Sequence, residues 1–104
     1  MIILNEKYSV YGEFTANEGK ELQLHRLLLE TANEINDMED CLCYIVSKCK
    51  KEQNKIYVFE IWENKIAHET FMELEVMRNF IRRIATMISK MNSNSGFVLY
   101  DGDN

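Results

Sequence analysis

A chain of 104 residues, 46% hydrophobic and 28% charged, has the size and composition of one globular domain. Its formal net charge of −5 argues against nucleic acid and anionic membranes as partners, since both require concentrated Lys and Arg. No apolar run approaches the roughly 18 residues of a membrane span, and the amino terminus, MIILNEKY, lacks the basic segment of a signal peptide. We therefore expect one domain over residues 1–104, located in the cytoplasm.

The first two predicted elements are a strand and a helix. Alternating side chains predict a strand over 8–14, YSVYGEF, in which Tyr8 and Val10 share one face and Tyr11 lies on the other. Leucine, alanine and isoleucine then recur at helical spacing and predict a helix over 18–36. Acidic residues in its first turn, after a threonine and an asparagine, are typical of a helix start.

Two further strands are predicted over 41–49, CLCYIVSKC, and 55–62, KIYVFEIW, with a polar loop between them. Both strands are apolar on both faces, whereas a strand with one face in water alternates apolar and polar residues. Two substantial helices can cover only one face of the resulting sheet. The economical cover for the other face is a second copy of the same sheet, so the pattern predicts a homodimer.

The three cysteines of the chain, Cys41, Cys43 and Cys49, have the same parity on the predicted second strand. Side chains two residues apart on a strand point the same way and rarely form an unstrained disulfide. No CxxC pair and no nearby histidine give the spacing of metal ligands. We therefore expect reduced cysteines that pack like small apolar residues, and no metal site.

The last third of the chain predicts a capped turn, a long helix and a final strand. Asn64 can cap a short turn that carries His68, and apolar spacing predicts one helix over 73–91. The run 92–96, NSNSG, ends that helix, and 97–100 is predicted as a short strand. The order strand, helix, strand, strand, helix, strand predicts a ferredoxin-like α+β fold with a four-stranded antiparallel sheet.

The segment 59–88, FEIWENKIAHETFMELEVMRNFIRRIATMI, resembles the antibiotic biosynthesis monooxygenase family. That family often shows an acid-x-Trp-acid strand end, a histidine in a turn flanked by small residues, and then an amphipathic helix. The residues at those places are Glu60, Trp62, Glu63, Ala67 and His68. Upstream, Cys41-x-x-Tyr44 is similar to the family's second strand, although Asp40 replaces the usual glycine. The resemblance covers about residues 6–102.

The resemblance implies a dimeric α+β barrel in which each subunit holds a pocket between its helices and its own sheet. Members of the family include cofactor-free oxygenases of quinols or polyketide anthrones, haem-degrading proteins, and many proteins without a known substrate. The haem-degrading branch uses an asparagine on the first strand and a histidine on the last helix. Here 8–14 contains no asparagine, Asn5 lies just upstream, and His68 precedes the long helix, so the haem branch is the weaker alternative.

Cofactor-free oxygenation requires the substrate to supply the electrons, as a deprotonated phenol or enol held out of water. Histidine exchanges protons near neutral pH, and an indole N–H or a tyrosine hydroxyl can donate to a developing oxyanion. We therefore predict His68, Trp62 and Tyr44 as the catalytic residues of a monooxygenase that uses O₂ and no cofactor. The predicted contacts to its aromatic substrate are Tyr8, Tyr11, Phe59, Phe71 and Glu60.

The same residues also have purely structural explanations. Trp62 can be a core residue, His68 can fasten its turn, and Glu60 can be a buried carboxylate paired with an arginine. The residues predicted as core filling are Met72, Met77, Met87 and Met91. The alternative function is a non-catalytic small-ligand-binding or stress-response module with the same pocket. Haem binding with degradation is the third alternative.

Overall fold

A computed structural model of the protein describes residues 7–97 and Leu99. The elements in chain order are β1 (Tyr8–Ala16), α1 (Glu21–Ile35), β2 (Cys41–Lys48), β3 (Lys55–Trp62), α2 (Lys65–Glu73), α3 (Glu75–Ala85) and β4 (Ile88–Ser95). This arrangement confirms the predicted α+β class, with the second helical segment divided into α2 and α3. No helix within the described residues is long and apolar enough to cross a membrane.

The four strands form one antiparallel sheet in the order β2-β3-β1-β4. In this register Glu60 of β3 lies opposite Val10 of β1 on one side and opposite Tyr44 of β2 on the other. Glu60 therefore sits inside the sheet, on a strand that has a hydrogen-bonded neighbour at both edges.

The register of β2 against β3 shifts between Cys41 and Cys43. A bulge of this kind adds one residue and reverses the faces of the side chains on its two sides. Cys41 consequently shares a face with Tyr44, where both are buried under the helices, whereas Cys43 and Ile45 lie on the other face. The prediction that Cys41 and Cys43 share a face is wrong for this reason. All three cysteines carry free thiols.

The long final helix predicted over 73–91 is wrong at both ends. The helical segment breaks at Leu74, whose backbone is extended (φ −63°, ψ 144°), and α3 ends at Ala85. Ile88 and Met91 belong to β4 and pair with β1. The register of β4 against β1 skips Ser89, and this places the two residues, three apart, on the same face of the sheet. Their spacing therefore imitates a helix.

The short strand predicted over 97–100 is also wrong in position. The strand is Ile88–Ser95, and the described residues Phe97 and Leu99 follow it outside any strand. Val98 and Tyr100 lie outside the described residues, as does Asn5. Residues 92–95 of the Asn- and Ser-rich run, which predicts a break in the chain, therefore form the second half of the edge strand β4. An edge strand tolerates polar residues because one of its edges faces solvent.

The helices and one face of the sheet enclose a single core. The core side chains include Phe14, Leu24, Leu28, Ile35, Tyr44, Ile56, Val58, Trp62, Phe71, Met77, Phe80 and Ile84. The opposite side of the sheet is called the open face here, and it carries Tyr11, Cys43, Ile45, Phe59 and Ile61. No helix within residues 7–97 covers the open face, where Tyr11 is 39% and Ile45 is 53% exposed.

The predicted cap at the start of α2 is confirmed. The Asn64 side-chain oxygen accepts a hydrogen bond from the Ala67 backbone N–H at 2.8 Å. The backbone N–H of His68 in turn donates to the Asn64 carbonyl oxygen at 3.4 Å. These two bonds fix the turn that carries the histidine.

We expect Asn64→Ala to lower the free energy of unfolding by about 1 kcal/mol, because a first-turn N–H group loses its acceptor. Asn64→Asp keeps an acceptor oxygen and should retain most of the wild-type stability. Urea denaturation of the three proteins measures the effect. Equal midpoints for wild type and Asn64→Ala would show that the cap contributes nothing.

Candidate active site

A cavity of about 260 Å³ lies between the helices and the covered face of the sheet. Most of its lining is apolar: Val10, Phe14, Phe71, Met72, Met77, Phe80, Ile81, Ile84, Ala85, Ile88 and Met91. Tyr44, Glu60 and His68 also line it, together with Ser93. An apolar cavity with a few convergent polar groups is the usual form of a small-molecule site.

The three titratable side chains of the cavity come from three different elements. β2 and β3 place Tyr44 and Glu60 side by side, and α2 brings His68 to the same place. Glu60 Oε1 lies 4.0 Å from His68 Nε2, which is too long for a hydrogen bond. The side chains of Glu60 and His68 are only 13% and 17% exposed. Water therefore screens neither group well.

Trp62 holds the Glu60 carboxyl in place. The indole Nε1–H donates to Glu60 Oε1 at 2.8 Å. The two residues reach each other because side chains two apart on a strand point to the same face. The indole is buried and stacks on Phe71, with 4.6 Å between the ring centroids. The tryptophan is thus fixed both by packing and by its hydrogen bond.

Trp62 itself is not part of the cavity lining. It lines a separate surface groove of about 350 Å³ beside α2, and Phe71 lines both the groove and the cavity. The structure therefore places the indole behind the cavity wall, where it contacts the lining residues Glu60, His68 and Phe71. A direct contact between Trp62 and a bound substrate stays a prediction from the sequence.

Burial governs the ionisation of the cavity groups. It raises the pKa of Glu60 to about 7, while the hydrogen bond from Trp62 opposes the shift. Burial lowers the pKa of His68, with the Glu69 carboxylate opposing, and burial together with the Glu60 charge raises the pKa of Tyr44. Near neutral pH, His68 is consequently a neutral base, Tyr44 is a hydrogen-bond donor, and Glu60 can hold or release a proton.

The remaining predicted substrate contacts divide between the two faces of the sheet. Tyr8 and Phe71 lie beside His68, with ring centroids 5.2 Å and 6.4 Å from the imidazole, but only Phe71 lines the cavity. Tyr11 and Phe59 are 4.7 Å apart on the open face. The structure therefore separates Tyr11 and Phe59 from the other predicted site residues.

The sequence model of the antibiotic biosynthesis monooxygenase family matches residues 7–83. The chain belongs to this family. The match extends from β1 into α3 and includes Tyr44, Glu60 and His68. The resemblance seen in the strand end and the histidine turn is thereby confirmed, and the family supports a monooxygenase-like function in general terms. No curated protein matches the chain in sequence.

Solved structures share the fold of this family member. A protein from Deinococcus radiodurans, described as an antibiotic biosynthesis monooxygenase, is 19% identical, with a TM-score of 0.83 over 93% of this chain and 96% of that chain. One of the same description from Chloroflexus aurantiacus is 23% identical, with a TM-score of 0.80 over 94% and 97%. A protein from Shewanella oneidensis is 12% identical, with a TM-score of 0.86 over 94% and 95%. At these identities the likeness shows the fold alone.

The sequence did not reveal most of the cavity lining. Met72 and Met91, predicted as core filling, line the cavity and are 38% and 53% exposed, so they lie at its opening. From the sequence, Val10 was predicted only as a residue of the first strand, and Ile84 only as a residue of the apolar face of the helix over 73–91. Core residues and cavity residues share the same apolar spacing, so periodicity cannot distinguish them. The pairing of β1 with β3, which the sequence analysis did not predict, places Val10 opposite Glu60.

The cavity offers groups for proton transfer rather than for metal binding. Its lining contains one histidine and one carboxylate, whereas a zinc site in a protein takes at least three protein ligands. No group of three His, Cys, Asp or Glu side chains that could hold a metal ion occurs in the part of the chain that the structure describes.

Proposed function

We propose that this family member is a cofactor-independent monooxygenase that oxidises an electron-rich hydroxylated aromatic, such as a quinol or a polyketide-type compound, with O₂. The observation that supports the proposal is the apolar cavity into which Tyr44, Glu60 and His68 converge. A substrate of this kind reduces O₂ by itself once its hydroxyl loses a proton. The protein has to bind the ring, exclude water and accept that proton.

The cavity supplies a group for each of these tasks. Its apolar walls accommodate the ring. The neutral imidazole of His68 can accept a hydroxyl proton, because burial lowers its pKa. The hydroxyl of Tyr44, whose pKa burial raises, stays protonated and donates to the substrate oxygen as negative charge develops there. Trp62 contributes indirectly, through its hydrogen bond to Glu60.

The proposed reaction balances without a further reductant. The deprotonated ring gives electrons to O₂, and one oxygen atom forms a new carbon–oxygen bond in the product. The other oxygen atom leaves as water with two hydrogens that come from the substrate. A hydroquinone is thereby converted to a hydroxylated quinone.

Oxygen uptake with a panel of hydroquinones and anthrones tests the proposal. Uptake by the wild-type protein above the autoxidation rate, together with the expected hydroxylated quinone in the product mixture, supports it. Uptake at the autoxidation rate with every compound in the panel counts against it.

A second candidate is a non-catalytic module that holds a small apolar ligand. The same cavity favours it, because nearly all of the lining is apolar and the polar groups are few. This candidate expects a ligand-dependent rise in Tm without any oxygen uptake. The third alternative, haem binding, expects a shift in the visible spectrum when haem is titrated into the protein, and an unshifted spectrum removes it.

We also propose that two copies of the chain pair through the open face. The face carries an aromatic cluster in which the rings of Tyr11 and Phe59 are 4.7 Å apart, and Phe97 packs edge-on against Tyr11 at 4.8 Å. Ile45 lies beside Phe59 and is 53% exposed. An apolar sheet face of this kind is a self-complementary surface for a second copy.

We expect Ile45→Lys to shift the protein from dimer to monomer at micromolar concentration, because a lysine buried between the paired faces would lose its hydration. Light scattering measures the molar mass. The matched control is Ile66→Lys on α2, where the isoleucine is 72% exposed and away from the open face. A wild-type monomer, or a dimer that withstands Ile45→Lys, contradicts the proposed interface.

A further inference from the structure

We infer that Glu60 is a proton acceptor of the cavity for the hydroxyl of a bound aromatic, and that Trp62 is its positioning residue. The inference rests on the proposed function in one respect: the ligand must carry an acidic hydroxyl. Glu60 lines the cavity, its side chain is 13% exposed, and its Oε1 accepts the Trp62 indole N–H at 2.8 Å. The proposed oxidation removes two hydrogens from the substrate, so a second acceptor beside His68 has a defined task.

The surroundings of Glu60 leave its charge uncompensated. Among the described residues no lysine or arginine lies within ion-pair distance of it, so the predicted pairing with an arginine is wrong there. The groups that face it are Trp62 on β3, Tyr44 and Cys41 on β2, Val10 on β1 and His68 on α2. The side chains of α3 that line the cavity are apolar. A buried carboxylate without a cation costs stability and is typical of functional sites.

The transfer itself needs no co-reactant. The proton leaves the ligand hydroxyl and binds a carboxylate oxygen of Glu60, while the electron pair of the broken O–H bond stays on the ligand oxygen. The carboxylic acid that forms is neutral, so Glu60 itself no longer carries a buried charge. The negative charge moves to the ligand, where the Tyr44 hydroxyl can donate a hydrogen bond to it. The raised pKa of Glu60 is consistent with this exchange near neutral pH.

Trp62 influences this proton transfer by holding the Glu60 carboxyl in one orientation. The indole is packed against Phe71 and holds one carboxylate oxygen, which limits rotation of the carboxyl. A carboxylate has more acceptor positions than the indole uses, so the group can still receive a proton from a ligand. Removal of the indole N–H takes away a donor that favours the charged form, so the pKa of Glu60 is expected to rise further.

The affinity for a hydroxyl probe and for its methyl ether tests the inference without turnover. 2-Naphthol and 2-methoxynaphthalene are titrated under nitrogen between about pH 5 and about pH 8, where the naphthol stays protonated in solution. In the wild type, the naphthol affinity should rise about tenfold with pH, because an ionised carboxylate accepts a hydrogen bond better than an uncharged carboxylic acid does. The ether has no proton to donate, so its affinity should stay constant.

Three variants identify the group responsible. Glu60→Gln should bind naphthol with an affinity independent of pH, whereas Glu73→Gln, an exposed glutamate on the same chain, should match the wild type. Trp62→Phe should keep the rise and move its midpoint to higher pH. If Trp62 only filled the core, its replacement would leave the pH midpoint of the naphthol affinity unchanged. A shift of this midpoint in Trp62→Phe is therefore the evidence for a positioning role.

Each contrary result overturns a stated part of the inference. A rise that persists in Glu60→Gln, a rise shared by the ether, a flat wild-type profile, or the binding of neither probe removes Glu60 as the acceptor. An unchanged midpoint in Trp62→Phe removes the positioning role. Failure of the oxygenase proposal is distinguishable, because it gives no oxygen uptake with hydroquinones while the naphthol profile stays as expected.

Discussion

His68→Ala is expected to lower the rate of oxygen uptake with an accepted hydroquinone by about 10²- to 10⁴-fold, the usual effect of losing a general base. This corresponds to roughly 3 to 5 kcal/mol of activation free energy. The imidazole lines the cavity and is 17% exposed, and burial lowers its pKa, so it is available as a base near neutral pH. Alanine leaves the cavity wall apolar but without that base.

The other histidine of the chain provides a matched control for this experiment. His25 lies on α1 and is absent from the cavity lining. His25→Ala should therefore keep the wild-type rate. Circular dichroism of both variants establishes that each is folded. Wild-type uptake by a folded His68→Ala protein would remove this histidine from the reaction.

Glu60→Gln is expected to abolish a pH dependence of stability worth about 4 kcal/mol. The pKa of Glu60 is about 7 in the folded protein, raised by burial, and about 4.3 in an unfolded chain. The unfolded state therefore releases the proton first as the pH rises. The stability from the protonated carboxyl is complete below about pH 4 and is lost progressively up to about pH 7. Glutamine stays neutral and still offers an oxygen to the Trp62 indole.

Urea denaturation at several pH values measures this difference directly. The wild type should lose stability relative to Glu60→Gln from about pH 4 to about pH 7, and the two should converge at more acidic pH. The control Glu73→Gln replaces an exposed glutamate and should run parallel to the wild type. Parallel profiles for Glu60→Gln and the wild type would show that the buried carboxyl keeps an ordinary pKa.

The parts of the fold that local sequence determines could be predicted. β3 occupies the predicted residues Lys55–Trp62, because a run of β-branched and aromatic residues between polar turns has few alternatives. The Asn64 cap was predictable because capping depends on residues only a few positions apart. His68 reached the cavity because the strand end and the cap together fix where α2 starts.

The parts that depend on pairing across the chain could not be predicted. The bulge beside Cys41 in β2 and the skipped Ser89 in β4 each change which face the following side chains point to, and neither follows from one strand's own residues. The sequence did not predict β4 for this reason, because Ile88 and Met91 are three residues apart, which is also the spacing of neighbours on one face of a helix. The hydrogen bond from Trp62 to Glu60 was not predicted either, although residues two apart on a strand point to the same face.

The wall between the cavity and the outer groove sets the size of the ligands that can fit. The stacked rings of Trp62 and Phe71 form this wall, and Phe71 lines the spaces on both sides of it. Shortening that phenylalanine would join a cavity of about 260 Å³ to a groove of about 350 Å³. On this side of the cavity the limit on ligand size therefore depends on the stacked rings of Trp62 and Phe71, and a variant with a smaller residue at position 71 is expected to accept substrates with more fused rings.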